Sequence, residues 1–204
     1  MSALPPYWKT ATRALAKADP VMKSIIDTYK GEALTTRGDP FYSLTRAIVG
    51  QQISVKAAES VWKRVEAELK TVNPKTILKK SDEQLRACGL SRSKVIYLKS
   101  LADHFHTKKC DHAFFDAMED HEIIAELTEI KGIGRWSAEM FLIFCLMRPD
   151  VFPVADIGVQ KAIQRHYTVK DLKKLEKHAE QWKPYRTVAT WYLWRSLDPV
   201  PVGY

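Results

Sequence analysis

The sequence predicts an all-α protein built as two helical lobes. Apolar residues recur at helical spacing along most of the chain, and no segment alternates between apolar and polar residues for the length of a strand. Prolines, glycines and capping residues separate these apolar segments at short intervals. We therefore expect about ten short helices and no sheet.

Capping residues and helical spacing define the predicted helices of the first half. Asp19 precedes Pro20, which suits the first turn of a helix, and Ser81 with Gln84 has the pattern of a capping box. Ser91 can cap the following segment. The expected helices are 7–18, 21–29, 41–49, 58–69, a segment that starts at Pro74, 81–89 and 91–105, with a loop at 35–40.

The second half contains the most apolar segment, residues 135–147, which should be a buried central helix because it is apolar on nearly every face. The other expected helices are 110–120, 121–130, 157–166, 172–181 and 185–197, followed by an irregular tail at 198–204. These segments predict one lobe from residues 1–40 and 150–204. The second lobe, 41–149, carries a helical hairpin at 127–147, and we expect the functional cleft between the lobes.

Composition favours a folded protein with a polyanionic partner. Of the 204 residues, 46% are hydrophobic and 27% are charged, which supports a real core and excludes a wholly disordered chain. Lys and Arg exceed Asp and Glu by 32 to 24, a net charge of +8. An excess of this size fits a surface that binds nucleic acid, although charge alone fits a merely basic protein equally well.

The sequence also predicts an intracellular protein that does not span a membrane. The longest apolar run, residues 140–147, is far shorter than the ~18 residues that a membrane span needs. The N-terminus has no long apolar stretch typical of a secretory signal. Cys88, Cys110 and Cys145 are odd in number and widely spaced, so they indicate neither a disulfide framework nor a metal-binding cysteine pair.

A glycine turn at Lys131-Gly132-Ile133-Gly134 interrupts two apolar helices. Its glycines permit a tight turn, and its amides precede a helix whose first N–H groups can bind a phosphate. Lys131 and Arg135 flank the turn and can add positive charge. An ordinary connection between two helices would explain the same residues.

Asp156 precedes the predicted helix 157–166 and admits two compatible interpretations. Aspartate is common as a helix N-cap. A capping position also holds a carboxylate in one place and favours its ionised form, which an electrostatic catalyst needs.

The combination of these two features resembles the helix-hairpin-helix DNA glycosylase superfamily. The pattern L-x-x-I-K-G-I-G-R-W-S-A occupies 127–138, and V-F-P-V-A-D follows at 151–156. Stretches at 41–58 and 89–98 are also similar to this superfamily, and W-K-P-Y-R at 182–186 with Leu193-Trp194 resembles 3-methyladenine DNA glycosylase II. The resemblance covers roughly residues 40–197 and implies a compact form without the N-terminal sheet domain found in some relatives.

The resemblance implies a monofunctional base excision repair enzyme. Members that cut the DNA backbone carry a lysine where this chain has Trp136, and tryptophan cannot form a Schiff base with the sugar. The implied enzyme flips an alkylated purine, such as 3-methyladenine or 7-methylguanine, out of double-stranded DNA and hydrolyses its N-glycosidic bond. Asp156 would stabilise the oxocarbenium-like sugar and orient the water.

Further roles follow from the matched positions. Gln51 or Gln52 would fill the gap that flipping leaves, and Trp136, with Trp194 and Tyr42 as further candidates, would form the base pocket. We expect most of the other tryptophans, including Trp191, to be core residues. The DNA-contacting residues of the hairpin would be Lys131, Gly132, Gly134 and Arg135, and a structural Na⁺ or K⁺ would bind the backbone carbonyls of Thr128, Ile130 and Ile133.

The resemblance implies no catalytic cofactor and no iron–sulfur cluster, since the four-cysteine pattern that several members carry is absent. Its implied partner is double-stranded DNA containing damaged bases, bound by a monomer. Two alternatives stay open: a non-catalytic DNA-binding module of the same motif, and a glycosylase for another damaged or mismatched base.

Overall fold

A computed structural model of the protein describes residues 4–36, 38–167, 169 and 171–198. These residues form thirteen α-helices and one 3-10 helix without any β-strand, which confirms the predicted all-α class. They divide into two compact units. The first comprises the described residues within Met1–Arg37 and Leu142–Gly203, and the second is Gly38–Phe141. The sequence predicts lobe boundaries near residues 40 and 150, and the units of the structure have their boundaries at 37/38 and 141/142. Of the predicted tail at 198–204, Asp198 alone is among the described residues.

The first unit begins with helices α1 (Trp8–Ala18) and α2 (Pro20–Thr28), which pack against each other. Asp19 separates them. Its Oδ1 accepts hydrogen bonds from the amides of Val21 and Met22 at 2.9 and 3.0 Å, so it caps α2 as the Asp-Pro pattern predicts.

Asp19 also links these helices to the C-terminal part of the same unit. Its Oδ2 accepts hydrogen bonds from the Tyr167 hydroxyl at 2.8 Å and the Trp182 indole N–H at 2.9 Å. Burial raises the pKa of this carboxyl, but its four hydrogen bonds lower the pKa by more, so the net shift is downward. The buried charge is therefore fully hydrogen-bonded, as a charge in a core must be.

The second unit is organised around its longest helix, α7 (Arg92–Lys108), which packs against α3 (Pro40–Gly50), α5 (Pro74–Leu78) and α6 (Asp82–Ala87). The capping box predicted at Ser81 and Gln84 is present, with hydrogen bonds of 2.9 and 3.2 Å, and Ser91 caps α7 through the Lys94 amide at 3.2 Å. The remaining helices of this unit are α4 (Val55–Leu69), α8 (His112–Asp116) and α9 (Asp120–Thr128).

The helix predicted over 110–120 is much shorter in the structure, where only α8 forms. Asp111 caps α8 through the Phe114 amide at 2.9 Å, so the helix starts later than predicted. Glu119 then begins a new capping arrangement with Glu122, and α9 starts there. The cap at Asp111 and the new cap at Glu119 therefore limit the helix within 110–120 to the short α8.

Helix α10 (Arg135–Phe144) starts in the second unit and ends in the first. It ends three residues before the predicted limit at Met147, which has a left-handed φ of 52° and turns the chain. The amide of Arg148 instead donates to the carbonyl of Leu142 at 2.9 Å. The second half of α10, residues 140–144, is buried, as its apolar sequence predicts.

Three helices and a 3-10 turn complete the first unit: α11 (Ile157–Tyr167), α12 (Leu172–Ala179), the 3-10 turn Glu180–Trp182 and α13 (Arg186–Arg195). Helix α13 packs against α1, α2 and α11, and all of its residues after Arg186 are buried. It is therefore the core helix of this unit. No helix among the described residues is both long and apolar enough to cross a membrane.

Candidate functional site

The two glycines of the hairpin between α9 and α10 occupy different environments. Gly132 has a left-handed φ of +86°, and a Cβ there would lie 2.3 Å from Cγ and Cδ2 of Tyr97. The fold itself therefore requires glycine at 132. A Cβ at Gly134 would have no neighbouring atom within 4 Å. The packing around the hairpin therefore does not require glycine at 134.

The hairpin presents a helix N-terminus with basic side chains. Gly134 supplies the carbonyl that starts α10, accepting from the Ala138 amide at 3.1 Å. The first N–H groups of a helix have no partner within it and carry partial positive charge. Lys131 is exposed, and its amide donates to the Ser100 hydroxyl at 3.2 Å. The guanidinium of Arg135 pairs at 2.9 Å with Glu139, an almost fully buried carboxylate.

Gln51 and Gln52 follow the end of α3, and their side chains lie in different environments. The Gln51 amide group donates to the Gly132 carbonyl at 3.0 Å, so the structure brings this predicted residue to the hairpin. Gln52 is exposed and adopts a left-handed φ of 57°. Gln51 thus satisfies a backbone group, while Gln52 is exposed to solvent.

Lys94 is a neighbour of this loop that the sequence did not single out for a role. Its ammonium donates to the Val49 carbonyl at 2.7 Å, at the C-terminal end of α3. Burial lowers the pKa of this lysine. Cations are favoured at helix C-termini, but sequence spacing does not reveal that a residue of α7 reaches the end of α3.

The candidate pocket residues of the second unit are Trp136 and Tyr42. Trp136 is the second residue of α10 and leaves 38% of its surface exposed, which is high for so large an apolar side chain. Tyr42 is half-buried; its hydroxyl donates to Glu66 at 3.0 Å and accepts from the Trp62 indole at 3.2 Å. Its polar atom is therefore used within the fold, and its contact with a base stays a prediction.

Asp156 caps α11. Its Oδ1 accepts hydrogen bonds from the Val159 amide and from the Trp194 indole N–H, both at 2.8 Å. The helix-capping interpretation is therefore right, and the indole adds a second donor that the sequence did not predict. Two donors on one oxygen restrict the rotation of the carboxylate.

Trp194 is more buried than a pocket wall needs to be. Only 8% of its surface is exposed, and its ring stacks on Phe144 with centroids 5.6 Å apart. Its base-pocket assignment stays a prediction, whereas its contact with Asp156 is observed. Trp191 is buried against Trp8, as expected for a core residue. Asp150, an alternative acid nearby in sequence, is held by the Arg186 guanidinium at 2.8 Å.

Metal-binding groups among the described residues are few. Three ligand atoms of His104, Glu126 and Glu129 lie within 4.8 Å of one another. The ammonium of Lys108 already contacts these carboxylates, at 2.5 Å from Glu126 and 3.5 Å from Glu129, and compensates their charge. Cys88, Cys110 and Cys145 are buried, and none of them forms a disulfide.

Comparisons with known proteins agree with this arrangement. Residues 45–185 match the model of the HhH-GPD superfamily base excision DNA repair protein. DNA-3-methyladenine glycosylase 1 of Schizosaccharomyces pombe is 33% identical over 183 residues, which cover 84% of this chain and 78% of that protein. DNA-3-methyladenine glycosylase of Saccharomyces cerevisiae is 34% identical over 199 residues, covering 78% and 67%.

Solved structures of DNA glycosylases are also similar to this chain. The crystal structure of DNA-3-methyladenine glycosidase from Bacillus halodurans is 37% identical, with a TM-score of 0.82, and the match covers 96% of this chain and 91% of that chain. The S. pombe 3-methyladenine DNA glycosylase in complex with abasic DNA is 30% identical, with a TM-score of 0.80, covering 92% and 96%.

Proposed function

Because the chain belongs to the HhH-GPD superfamily of base excision DNA repair proteins, we propose that it is a DNA-3-methyladenine glycosylase. It hydrolyses the N-glycosidic bond of alkylated purines in double-stranded DNA. The observation that carries this proposal is the Asp156 carboxylate, which the Val159 amide and the Trp194 indole hold at the start of α11. The relatives that share the fold over most of their length are named for the same activity.

Asp156 supplies the charge that this reaction needs. As the bond to the base lengthens, the base keeps the bonding electrons and the sugar becomes oxocarbenium-like. A fixed carboxylate stabilises that positive charge without having to reorient. Water then adds to C1′ of the sugar, and its proton passes to the carboxylate. An alkylated purine begins as a cation and leaves as a neutral base, so it needs no acid.

Trp136 provides an aromatic surface for the cationic base. Its exposed indole at the start of α10 can stack on the flipped purine, and a cation–π attraction is worth on the order of 1–2 kcal/mol. Within the second unit, Tyr42 is a further candidate for contact with the base, and within the first unit Trp194 contributes through its hydrogen bond to Asp156. A tryptophan at 136 also leaves no amine there for a Schiff base, so no strand cleavage accompanies base release.

Gln52 is the residue that fills the gap in the duplex. Gln51 is held by the Gly132 carbonyl, whereas Gln52 is exposed on a left-handed backbone at the tip of the loop. Insertion of Gln52 would not break the hydrogen bond of its neighbour. The proposal therefore assigns gap filling to Gln52 and loop anchoring to Gln51.

The hairpin binds the DNA backbone. Its amides at the start of α10 donate hydrogen bonds to a phosphate, and Lys131 and Arg135 add nonspecific attraction that weakens as salt rises. The carbonyls of Thr128, Ile130 and Ile133 would hold a Na⁺ or K⁺. Thr128 ends α9, Ile130 and Ile133 lie in the turn that follows it, and oxygen donors suit such an ion. We also propose that the protein acts as a monomer in the compartment that holds the DNA.

Base release from methylated duplex DNA tests the proposal. The parent should release 3-methyladenine and 7-methylguanine, and Asp156→Asn should lose most of that activity while keeping its fold, since asparagine is also a good N-cap. Asp111→Asn, the same change at the cap of α8, is the matched control and should retain parental activity. No release by the parent, or equal release by Asp156→Asn, contradicts the proposed function.

Borohydride trapping on the same substrate tests the absence of strand cleavage. The parent should form no covalent adduct with DNA. An adduct would show that an amine of the protein attacks the sugar, and the monofunctional assignment would then be wrong. Release of a different base, such as a deaminated purine, would keep the enzyme class and change the substrate.

A further inference from the structure

Gly158 is the second residue of α11 and lies beside the hydrogen bond between Asp156 and Trp194. A Cβ at this position would be 3.0 Å from Oδ1 of Asp156. It would also be 3.0 Å from Cδ1 and 3.2 Å from Nε1 of the Trp194 indole. Carbon atoms rarely approach this closely, so any side chain at 158 would move one of these two partners.

The backbone at Gly158 does not itself require glycine. Its φ lies outside the left-handed range in which the hairpin glycine Gly132 is found. Glycine within a helix is less favourable than alanine, because it loses more conformational freedom on folding. A glycine that local structure disfavours therefore has its reason in the neighbouring side chains.

We propose that Gly158 is a positioning residue for the Asp156 carboxylate and that it acts through Trp194. The missing side chain leaves the space in which the indole N–H approaches Oδ1 to 2.8 Å. The Val159 amide bonds the same oxygen, so the carboxylate is held from its own helix and from α13 together. This assignment rests on the proposed glycosylase function, in which Asp156 must stay oriented toward the developing charge.

A double-mutant cycle between Gly158→Ala and Trp194→Phe tests this assignment. The phenylalanine has no N–H, so it removes the hydrogen bond that the glycine protects. Single-turnover release of 7-methylguanine measures the chemical step, and binding to duplex DNA with an abasic-site analogue measures affinity. Thermal unfolding and circular dichroism of all four proteins measure folding.

We expect Gly158→Ala to keep its helix content and to bind the abasic duplex within twofold of the parent. Its single-turnover rate should fall about fivefold, because a misplacement of 1 Å can cost roughly 100-fold and the shift here is about 0.3–0.4 Å. In the Trp194→Phe background the same alanine should change the rate less than twofold.

Three results would overturn the assignment. Gly158→Ala could retain the parental rate, which would show that the space is not needed. It could lose the same factor in both backgrounds, which would show that it does not act through Trp194. A loss of helix content or of affinity would show that the glycine serves folding. Failure of the parent to release base in the same assay would instead refute the glycosylase function.

Discussion

Gly132→Ala should lower the stability of this protein, whereas Gly134→Ala should weaken DNA binding without lowering stability. At Gly132 the new Cβ would be held at a φ of +86° and would lie 2.3 Å from the Tyr97 ring. The left-handed conformation costs about 1–2 kcal/mol for an alanine, and displacing a packed ring costs about 1–3 kcal/mol more. The expected loss of about 2–5 kcal/mol is a large part of a typical total of roughly 5–15 kcal/mol.

Gly134→Ala meets no atom of the protein within 4 Å, so we expect its stability to stay within about 0.5 kcal/mol of the parent. If a phosphate approaches the amides at the start of α10, however, the added methyl group should weaken DNA binding. Thermal unfolding and fluorescence anisotropy with an abasic duplex measure the two quantities. Gly132→Ala should lower the melting temperature by about 5–20 °C, since 1 kcal/mol corresponds to roughly 2–4 °C at this size.

Adding Tyr97→Ala to Gly132→Ala removes the ring that the methyl group would meet but leaves the backbone conformation in place. Less destabilisation by Gly132→Ala in this background would show that crowding contributes. Parental stability of Gly132→Ala would refute the packing argument. Parental DNA affinity of Gly134→Ala would refute the idea that an approaching phosphate requires glycine at 134.

Three further predictions concern other contacts of the two units. The pKa of Asp19 is lowered in the folded state, so its contribution to stability is present above about pH 4 and is lost as the pH falls through the folded-state pKa. Asp19→Asn should therefore destabilise the protein at pH 7 by about 1–3 kcal/mol and make its stability less dependent on pH in the acid range. An unchanged pH dependence in that range would contradict this. Lys94→Met leaves the Val49 carbonyl without its ammonium and should lower the stability of the second unit by about 1–3 kcal/mol, measured by urea unfolding; no change would show that water replaces the contact. Gln52→Ala should reduce base flipping without lowering the melting temperature. Base flipping is measured by the fluorescence of a 2-aminopurine placed beside the lesion. Gln51→Ala should lower the melting temperature, and the reverse pattern would exchange their roles.

Much of the fold follows from local sequence, because helix caps are local. Asp19, Ser81 and Ser91 each accept or exchange hydrogen bonds within three residues, and each predicted helix start is observed. The errors have the same local origin. Asp111 is also a cap, and it makes α8 begin at His112, two residues later than apolar spacing indicates. The early end of α10 depends on the turn at Met147, which has a left-handed φ. Glycine would be typical of such a position, and the sequence has methionine there.

The sequence by itself determined the family, the hairpin glycines and Asp156, because these are short patterns of residue type at fixed spacing. Only the tertiary structure decided how each acts. Gly132 is required by Tyr97, 35 residues earlier, Gln51 is bound by a carbonyl 81 residues away, and Asp156 is held by Trp194, 38 residues later. These contacts join helices that are distant in the chain. Local periodicity does not predict which side chain will contact another helix, since that depends on how the helices pack.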